Sequence, residues 1–460
     1  MKKTLVVSIS GIRGIVGRGL DPEVLINFSA GYGTWIRQQA EAQGAQPKVV
    51  VGRDARVTGA MCARLVMSTL QSLGIDVIDA DLATTPTVEM GIIASGAQGG
   101  IVLSASHNPA EWNALKLLNG TGEFLSPEEG QAVLDFAAAG DFAWTTYADC
   151  GTYTRQDFLD YHIDQILALD FIAAEKIAAS NFTVAVDAVN SVGGLAIPAL
   201  LKRLGLRDEQ IIVLNGEPTG IFAHNPEPLP HNLADIMQLV EERGADLGIV
   251  VDPDVDRLAL VENGGRFFSE ELTQVLIADF FWRFREGPYA TNLSSSRAIE
   301  DVAAQYGQAV HRSAVGEINV VKKMQAVGAI AGGEGSGGVI IPDLHHGRDA
   351  VVAAAIVLQH LANEDTTLSA IRATMPTYAM AKHKTAIGKF NPDDLLARMA
   401  ERYASERLST IDGVKIDFAD GWVHMRKSNT EPIIRVYTEA ATAEEADALA
   451  ERFMGELLEG

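Results

Sequence analysis

A chain of 460 residues has room for three or four domains, and 47% hydrophobic against 21% charged residues marks folded rather than disordered protein. A formal net charge of −23 excludes a general nucleic-acid binder, which needs a basic face, and no apolar run approaches the roughly 18 residues of a membrane span. Cys62 and Cys150 are the only cysteines, so no disulfide framework is expected and a reducing cytoplasm is the default.

At the amino terminus Met1-Lys-Lys ahead of Thr4 to Ile9 imitates a signal peptide, but the apolar patch is too short and no cleavage site follows. Glycine-flanked Arg13, in Ser10-Gly-Ile-Arg-Gly14, has no apolar periodicity around it and reads alone as a surface turn.

Strand, polar loop, helix, strand then recurs three times. Lys48-Val-Val-Val-Gly-Arg-Asp-Ala-Arg56 leads into a helix near 59–73 and a strand over Gly74-Ile-Asp-Val-Ile78. Phe182 to Asp187 leads through Asn190-Ser-Val-Gly-Gly194 into a helix ending near Leu204-Gly205, then Ile211 to Leu214. Tyr289 to Ser294 leads into a helix near 297–306 and a short apolar step at Ala309-Val310. Each is a βαβ candidate. After each comes a further apolar strand ending in an unusual loop: Ile101-Val-Leu103, Leu247 to Val251, and Ala329-Ile-Ala331. Beyond Pro376 the pattern changes, with strands predicted over Val414–Phe418, Trp422–Arg426 and Ile433–Glu439 and an amphipathic helix over Ala441–Leu458. The reading is α/β: three related mixed α/β domains over 1–150, 151–256 and 257–375, and a smaller C-terminal α+β domain over 376–460. Ligands of open α/β sheets gather at the carboxyl ends of strands, so the three loops could face one central cleft.

In the first loop the polar run Ser104 to Asn108 breaks the strand. Asn108 as N-cap, Pro109 at the first position and Glu111 in the first turn predict a helix start there. Ser106 would then lie just ahead of free backbone N–H groups, where a hydroxyl can carry a phosphoryl group. Read alone, Ser106 is more simply a helix cap.

Asp252, Asp254 and Asp256 alternate straight after a buried strand. Two carboxylates about 5 Å apart repel by roughly 3 kcal/mol at an effective dielectric near 20, so three together call for a cation. Oxygen ligands suit Mg²⁺ or Ca²⁺, and an EF-hand is excluded by Arg257 and Asn263 where Gly and Glu are needed. The alternative is a solvated acidic turn with Arg257 as a surface partner.

Gly332-Gly-Glu-Gly-Ser-Gly-Gly338 offers a carboxylate and a hydroxyl among glycines, a set that reads polyols at close approach or is a plain flexible turn. It lacks the Gly-Lys-Ser/Thr ending of a phosphate P-loop. Arg426-Lys-Ser-Asn-Thr430, with Arg435 as a second fork, offers the donors a phosphate dianion needs, or is a charged hairpin connection. Asp187, His345 and His346 read as loop or packing residues and receive no role.

Taken in order, Ser104-Ala-Ser-His-Asn-Pro109, Asp252-Pro-Asp-Val-Asp-Arg257, Gly333-Glu-Gly-Ser336 and Arg426-Lys-Ser-Asn-Thr-Glu-Pro432 resemble the α-D-phosphohexomutase superfamily over the whole chain, most like phosphoglucosamine mutases. Gly11-Ile-Arg-Gly14, Val51-Gly-Arg-Asp54 and Asn225-Pro-Glu-Pro228 are secondary matches. The resemblance implies a cytoplasmic isomerase that moves a phosphoryl group between the 6- and 1-positions of a hexose phosphate through a phosphoserine and a sugar bisphosphate. It implies Ser106 as the phosphorylated serine, Lys116 and Arg13 for proton transfer and charge stabilisation at the reacting hydroxyl, and His107 as a further catalytic residue. Asp252, Asp254 and Asp256 would hold Mg²⁺ together with a Ser106 oxygen. Glu334, Ser336, Glu317 and Arg257 would bind substrate, and Arg426, Ser428, Asn429, Thr430 and Arg435 the phosphate that is not reacting. No nucleic acid or membrane partner is implied, and oligomeric state is left open.

Glu317 stands where many mannose- and glucose-type members have His and many glucosamine-type members Asp, which favours glucosamine phosphate. Gly335 and Gly337-Gly338, where Gly-His is frequent, depart from both patterns. The alternative is a phosphomannomutase/phosphoglucomutase, ahead of a phosphoserine-forming phosphatase or a non-catalytic sugar-phosphate sensor.

Overall fold

The computed structural model describes residues 4–8, 11–388, 390–427 and 433–458. The chain divides into two compact units. One runs to Thr273 and takes in Gly337–Arg372; the other holds Gln274–Ser336 and the chain from Ala373 onward. No helix among the described residues is long and apolar enough to cross a membrane.

In the first unit the strand–helix–strand order occurs twice. Lys48–Arg53 is parallel to Asp76–Leu82 with helix Gly59–Ser72 between them in sequence, and Val184–Asp187 is parallel to Ile211–Leu214 with helix Gly193–Arg203 between them. On the other side of each leading strand lies a loop-bearing strand, also parallel: Gly99–Leu103 beside Lys48–Arg53 and Leu247–Val251 beside Val184–Asp187. The chain therefore leaves each leading strand toward one edge and returns on the other. At such a reversal the crevice beyond the strand ends is open to a ligand. Both loop-bearing strands are buried along their whole length, as continuous apolar runs between covered faces require.

The sheet of the first loop packs Val49, Val51, Ile101, Leu103, Leu115 and Leu117 into one core cluster with Trp35 and Leu70 from flanking helices. A fully buried aliphatic side chain of this kind contributes about 1.5–3 kcal/mol. Helix Pro22–Gln43, which supplies Trp35, starts where the Asp21 side chain accepts from Val24 N and stops at Gly44, in the left-handed region at φ 64°.

The helix expected from Asn108-Pro109 does not form. Residues 104–111 make an irregular turn, and Trp112–Asn119 is a strand antiparallel to both Gly99–Leu103 and Gly11–Ile15. Asn-Pro opens a turn as readily as a helix, and here the carbonyls that a helix would have used internally go to a distant arginine. Ser106 therefore precedes no helix; its N–H donates to Ser104 Oγ at 2.9 Å.

The second unit holds the third copy: Tyr289–Asn292 is parallel to Val310–Ser313, with helix Ala298–Gln305 between them in sequence, and to Ala331–Glu334. Gly332, Gly333 and Glu334 thus belong to a strand rather than to the loop expected there. From Ala373 onward five antiparallel strands run in the order Ala379–Ala386, Ile433–Ala440, Trp422–Lys427, Val414–Asp417 and Arg407–Ser409. Helices Pro392–Arg402 and Ala443–Leu458 supply Met399, Phe453 and Leu457 to their core. The two outer strands were not expected, because edge positions need no continuous apolar pattern. Three α/β domains and a C-terminal domain built on an antiparallel sheet are what the sequence predicts.

Candidate active site

The serine turn is held by a buried salt bridge that lies outside it. Ser104 Oγ donates to Asp54 Oδ2 at 2.7 Å, and Arg56 Nε donates to the same oxygen at 3.0 Å. The Arg56 guanidinium then donates through Nη1 to the carbonyls of Pro109 at 2.6 Å and Trp112 at 3.0 Å, and through Nη2 to those of Ser106 at 2.5 Å and Asn108 at 2.7 Å. All five guanidinium hydrogens are thereby used. Burial pushes the Asp54 carboxyl up to about 6 against the pull of Arg56 and Ser104. Ser106 itself sits at φ 49°, a left-handed conformation uncommon outside glycine that the surrounding bonds must enforce.

The aspartate loop follows Val251. Its turn includes Val255 at φ 63°, an outlier for a β-branched residue, and is pinned where Ser191 Oγ donates to the Pro253 carbonyl at 2.6 Å. Thr85 donates to it twice, from its N–H to the Asp254 carbonyl at 2.9 Å and from Oγ1 to Asp254 Oδ2 at 2.5 Å. Ser106 Oγ donates to Asp252 Oδ2 at 2.6 Å, and Asp252 Oδ1 accepts from Arg257 N at 3.2 Å. Lys116, opposite Val102 in the sheet, ion-pairs with Asp254 Oδ2 and reaches Asp256 Oδ2 at 2.9 Å. The first unit thus brings Ser106, Lys116 and all three aspartates together.

The donor set fits a divalent cation. One oxygen from each of Asp252, Asp254 and Asp256 lies within 4.8 Å of the others, and all three side chains are buried. Among the described residues Asp254 Oδ1 and Asp256 Oδ1 have no hydrogen-bond partner, and a buried carboxylate oxygen left so costs about 1–3 kcal/mol unless something occupies it. Burial and its two neighbours drive the Asp252 carboxyl well up. Burial acts the same way on Asp256, but Arg348 and Lys116 outweigh it and hold that carboxyl well down. Burial opposes the Lys116 charge as well, yet Asp254 and Asp256 raise its affinity for the proton, so Lys116 stands here as an ammonium.

His107 Nδ1 lies 3.4 Å from Ser106 Oγ, and Arg257 and burial lower its basicity so far that the ring is neutral. Arg13 Nη1 donates to Asn108 Oδ1 at 3.4 Å; burial and Arg257 lower its pKa, without removing its charge near neutrality. The backbone N–H of Arg257 closes the aspartate loop, and its Nε is 3.9 Å from Asp256 Oδ1.

In the second unit Glu334 Oε1 accepts from Asn292 Nδ2 at 2.8 Å and from Gly316 N at 3.1 Å, and Ser295 Oγ accepts from Gly335 N at 3.1 Å. Ser336 follows this strand end. Glu317 is the first residue of helix Glu317–Val327, where a carboxylate also meets the positive end of the helix dipole. Arg426 stands directly opposite Arg435, which itself stands opposite Lys384. Like charges in register repel, so three aligned cations favour an anion beside them. Arg426 Nη1 is 3.3 Å from Asp412 Oδ2, and Arg435 Nη1 is 3.3 Å from Tyr437 Oη. Ser428, Asn429 and Thr430 lie outside the described residues.

Family models match the chain nearly end to end: phosphoglucomutase/phosphomannomutase alpha/beta/alpha domain I over residues 5–144, domain II over 160–265, domain III over 270–378 and the C-terminal domain over 380–456. The chain belongs to the phosphoglucomutase/phosphomannomutase family. It is a phosphohexomutase, an isomerase of the intramolecular phosphotransferase kind. A phosphoglucomutase/phosphomannomutase of Thermococcus kodakarensis is 34% identical over 440 residues, covering 95% of this chain and 94% of the relative. A phosphoglucosamine/phosphogalactosamine mutase of Sulfurisphaera tokodaii is 31% identical, covering 94% of each. Among solved structures, a phosphoglucomutase/phosphomannomutase family protein of Burkholderia thailandensis superposes with a TM-score of 0.83 at 24% identity, covering 99% of both chains. The Aspergillus fumigatus N-acetylphosphoglucosamine mutase, solved in complex with GlcNAc-6P and magnesium, superposes with a TM-score of 0.57 at 16% identity, covering 98% of this chain and 95% of that one.

Three residues of this phosphohexomutase were not singled out from the sequence: Arg56, Thr85 and Arg348. Arg56 had a local signal, an acid–base pair Asp54-x-Arg56 just beyond a buried strand. Thr85, at the start of helix Thr85–Ser95, and Arg348, which donates to Asp256 Oδ2 at 2.8 Å, had none.

Proposed function

We propose that this phosphohexomutase works through a phosphoserine at Ser106 and a hexose bisphosphate intermediate. The observation that carries the reading is the 2.6 Å contact between Ser106 Oγ and Asp252 Oδ2, inside a buried trio that also holds Lys116. In the first half-reaction the phosphoserine O–P bond breaks as a bond from phosphorus to a sugar hydroxyl forms. In the second, the other phosphate of the bisphosphate returns to Ser106. Lys116, Arg13 and Arg257 stabilise the transferring oxygens by charge, the proton of the attacking sugar hydroxyl passes to the departing Ser106 oxygen and returns in the second half-reaction, and the neutral His107 beside Ser106 accepts a hydrogen bond. Held by Asp252, Asp254 and Asp256 with a Ser106 oxygen, Mg²⁺ would neutralise charge on the transferring group.

On this reading the four domains near 1–150, 151–256, 257–375 and 376–460 each supply one loop. Glu334 and Ser336 bind sugar hydroxyls. Arg426 and Arg435, with Ser428, Asn429 and Thr430, hold the phosphate that is not in transfer. The substrate is a 2-amino hexose phosphate, with glucosamine phosphate first. Two points support it: a carboxylate, Glu317, where a protonated amino group needs a partner, and the name of the Sulfurisphaera relative. The Thermococcus relative's name supports glucose or mannose phosphate instead. Free thiols at Cys62 and Cys150 suit a reducing compartment such as the cytoplasm.

Turnover of glucosamine, glucose and mannose 6-phosphates, each primed with its bisphosphate and followed by phosphorus NMR, tests both levels. The expected result is interconversion of 6- and 1-phosphates with almost no inorganic phosphate, fastest for glucosamine. Stoichiometric phosphate release would make the protein a phosphatase, and faster turnover of mannose or glucose phosphate would overturn the substrate assignment.

A further inference from the structure

Arg348 reaches the aspartate trio from outside all of the motifs. Its backbone is fixed on both sides. Arg348 pairs with Ile340 in an antiparallel bridge, and the next residue donates from Asp349 N to the Val339 carbonyl at 2.9 Å. Asp349 is the N-cap of the buried helix Ala350–Glu364, its Oδ1 accepting from Val351 N at 2.7 Å and Val352 N at 3.2 Å. Its Oδ2 lies 2.8 Å from His162 Nε2 and 3.2 Å from His345 Nε2. A side chain leaving such a base starts from a defined position.

That side chain then crosses Gly338. A Cβ placed on Gly338 would lie 2.3 Å from Arg348 Cδ and 3.1 Å from its Cγ, so any side chain there excludes this path. Gly338 does not have a positive φ, so the glycine supplies space and not backbone freedom. Beyond it, Arg348 Nη2 donates to Asp256 Oδ2 at 2.8 Å, the oxygen that Lys116 also holds, while Asp256 Oδ1 has no hydrogen-bond partner among the described residues.

We infer that Arg348, given room by Gly338, is a positioning residue for the trio: it clamps one oxygen of Asp256 so that the other is presented to the divalent cation. The inference rests on the cation site proposed above. Charge alone argues the opposite way, because a guanidinium beside a cation repels it and its removal would tighten binding. The sign of the change therefore separates positioning from mere counter-charge.

The test is Mn²⁺ affinity of the full-length, substrate-free enzyme, read from the electron spin resonance of free Mn²⁺. Partners of a metal ligand typically change affinity about 10–100-fold when removed. Arg348→Ala is expected to weaken Mn²⁺ at least about tenfold within that range, and Gly338→Ala to weaken it similarly. The double variant is expected to be no worse than Arg348→Ala, since both changes remove one contact. Arg348→Lys, which keeps a donor and a charge, should recover part of the loss, and kcat should fall in Arg348→Ala with little change in KM for the hexose phosphate. Tighter or unchanged Mn²⁺ binding in a folded Arg348→Ala, or independent effects of the two alanine changes, would overturn the inference. A wild-type enzyme that binds no Mn²⁺, or one whose binding survives Asp254→Asn, overturns the cation site itself and this inference with it.

Discussion

Replacing Arg56 by lysine should loosen the serine turn more than a like-for-like change of charge suggests. Arg56 is 1% exposed, and its five N–H groups meet five acceptors, the Asp54 carboxylate and the carbonyls of Ser106, Asn108, Pro109 and Trp112. An ammonium has three hydrogens, so at least two acceptors go without a donor, and each buried unmatched group costs about 1–3 kcal/mol. The expected loss is about 2–6 kcal/mol for Arg56→Lys. Arg56→Ala adds the cost of a lone buried carboxylate at Asp54, about 3–5 kcal/mol when one partner of a buried pair is removed. That total approaches the whole stability of a domain, about 5–15 kcal/mol, so the alanine variant is expected to lose its first domain and the lysine variant to keep it. Because the Ser106 carbonyl is one of five acceptors left to share three hydrogens, and a displacement of about 1 Å can cost 100-fold in rate, kcat of Arg56→Lys should fall by about that factor. Urea denaturation and steady-state turnover check the two parts, and hydrogen exchange across 104–112 locates the change. A lysine variant with an unshifted denaturation midpoint and a kcat near that of the wild type would show that the serine turn does not depend on the full set of guanidinium bonds.

Ser106→Ala should abolish turnover while thermal melting stays close to wild type, since the substitution removes one hydroxyl from a turn held by Arg56. Removing divalent cations with a chelator should stop turnover, and added Mg²⁺ should restore it; activity that persists in chelator contradicts the cation site. His345 is buried between Asp349 and Glu89: burial alone would lower its pKa, but those two carboxylates outweigh it and push it up to about 10. A folded value above the ordinary imidazole value near 6.5 means that its stabilisation is complete below about pH 6.5 and lost as pH rises toward 10. The melting temperature of the wild type should therefore fall more steeply over that interval than that of His345→Gln, and parallel curves would show that the imidazolium contributes nothing.

Much of this architecture could be read locally because buried parallel strands leave continuous apolar runs. Val49–Val51, Ile101–Leu103 and Leu247–Val251 are of this kind, and each is followed by a break rich in polar groups. The aspartate trio was legible for the same reason, since three alternating carboxylates after a buried strand have few physical explanations. The turn at Asn108-Pro109 was misread because its local signature is that of a helix start; the deciding bonds come from Arg56, some fifty positions away in sequence. The strands Ala379–Ala386 and Arg407–Ser409 were missed because edge strands keep one side in solvent and show little apolar pattern. Arg348 could not be found by spacing at all. Its relation to Asp256 exists only because its side chain crosses Gly338, and neither fact has a local trace.

Transfer of labelled phosphate from a hexose bisphosphate to the enzyme, followed by peptide mapping, decides whether Ser106 carries the phosphoryl group. Label is expected on Ser106, lost again when a hexose monophosphate is added and recovered in the sugar bisphosphate. Isomerisation that proceeds with no label on Ser106, or with label only on another residue, would contradict it.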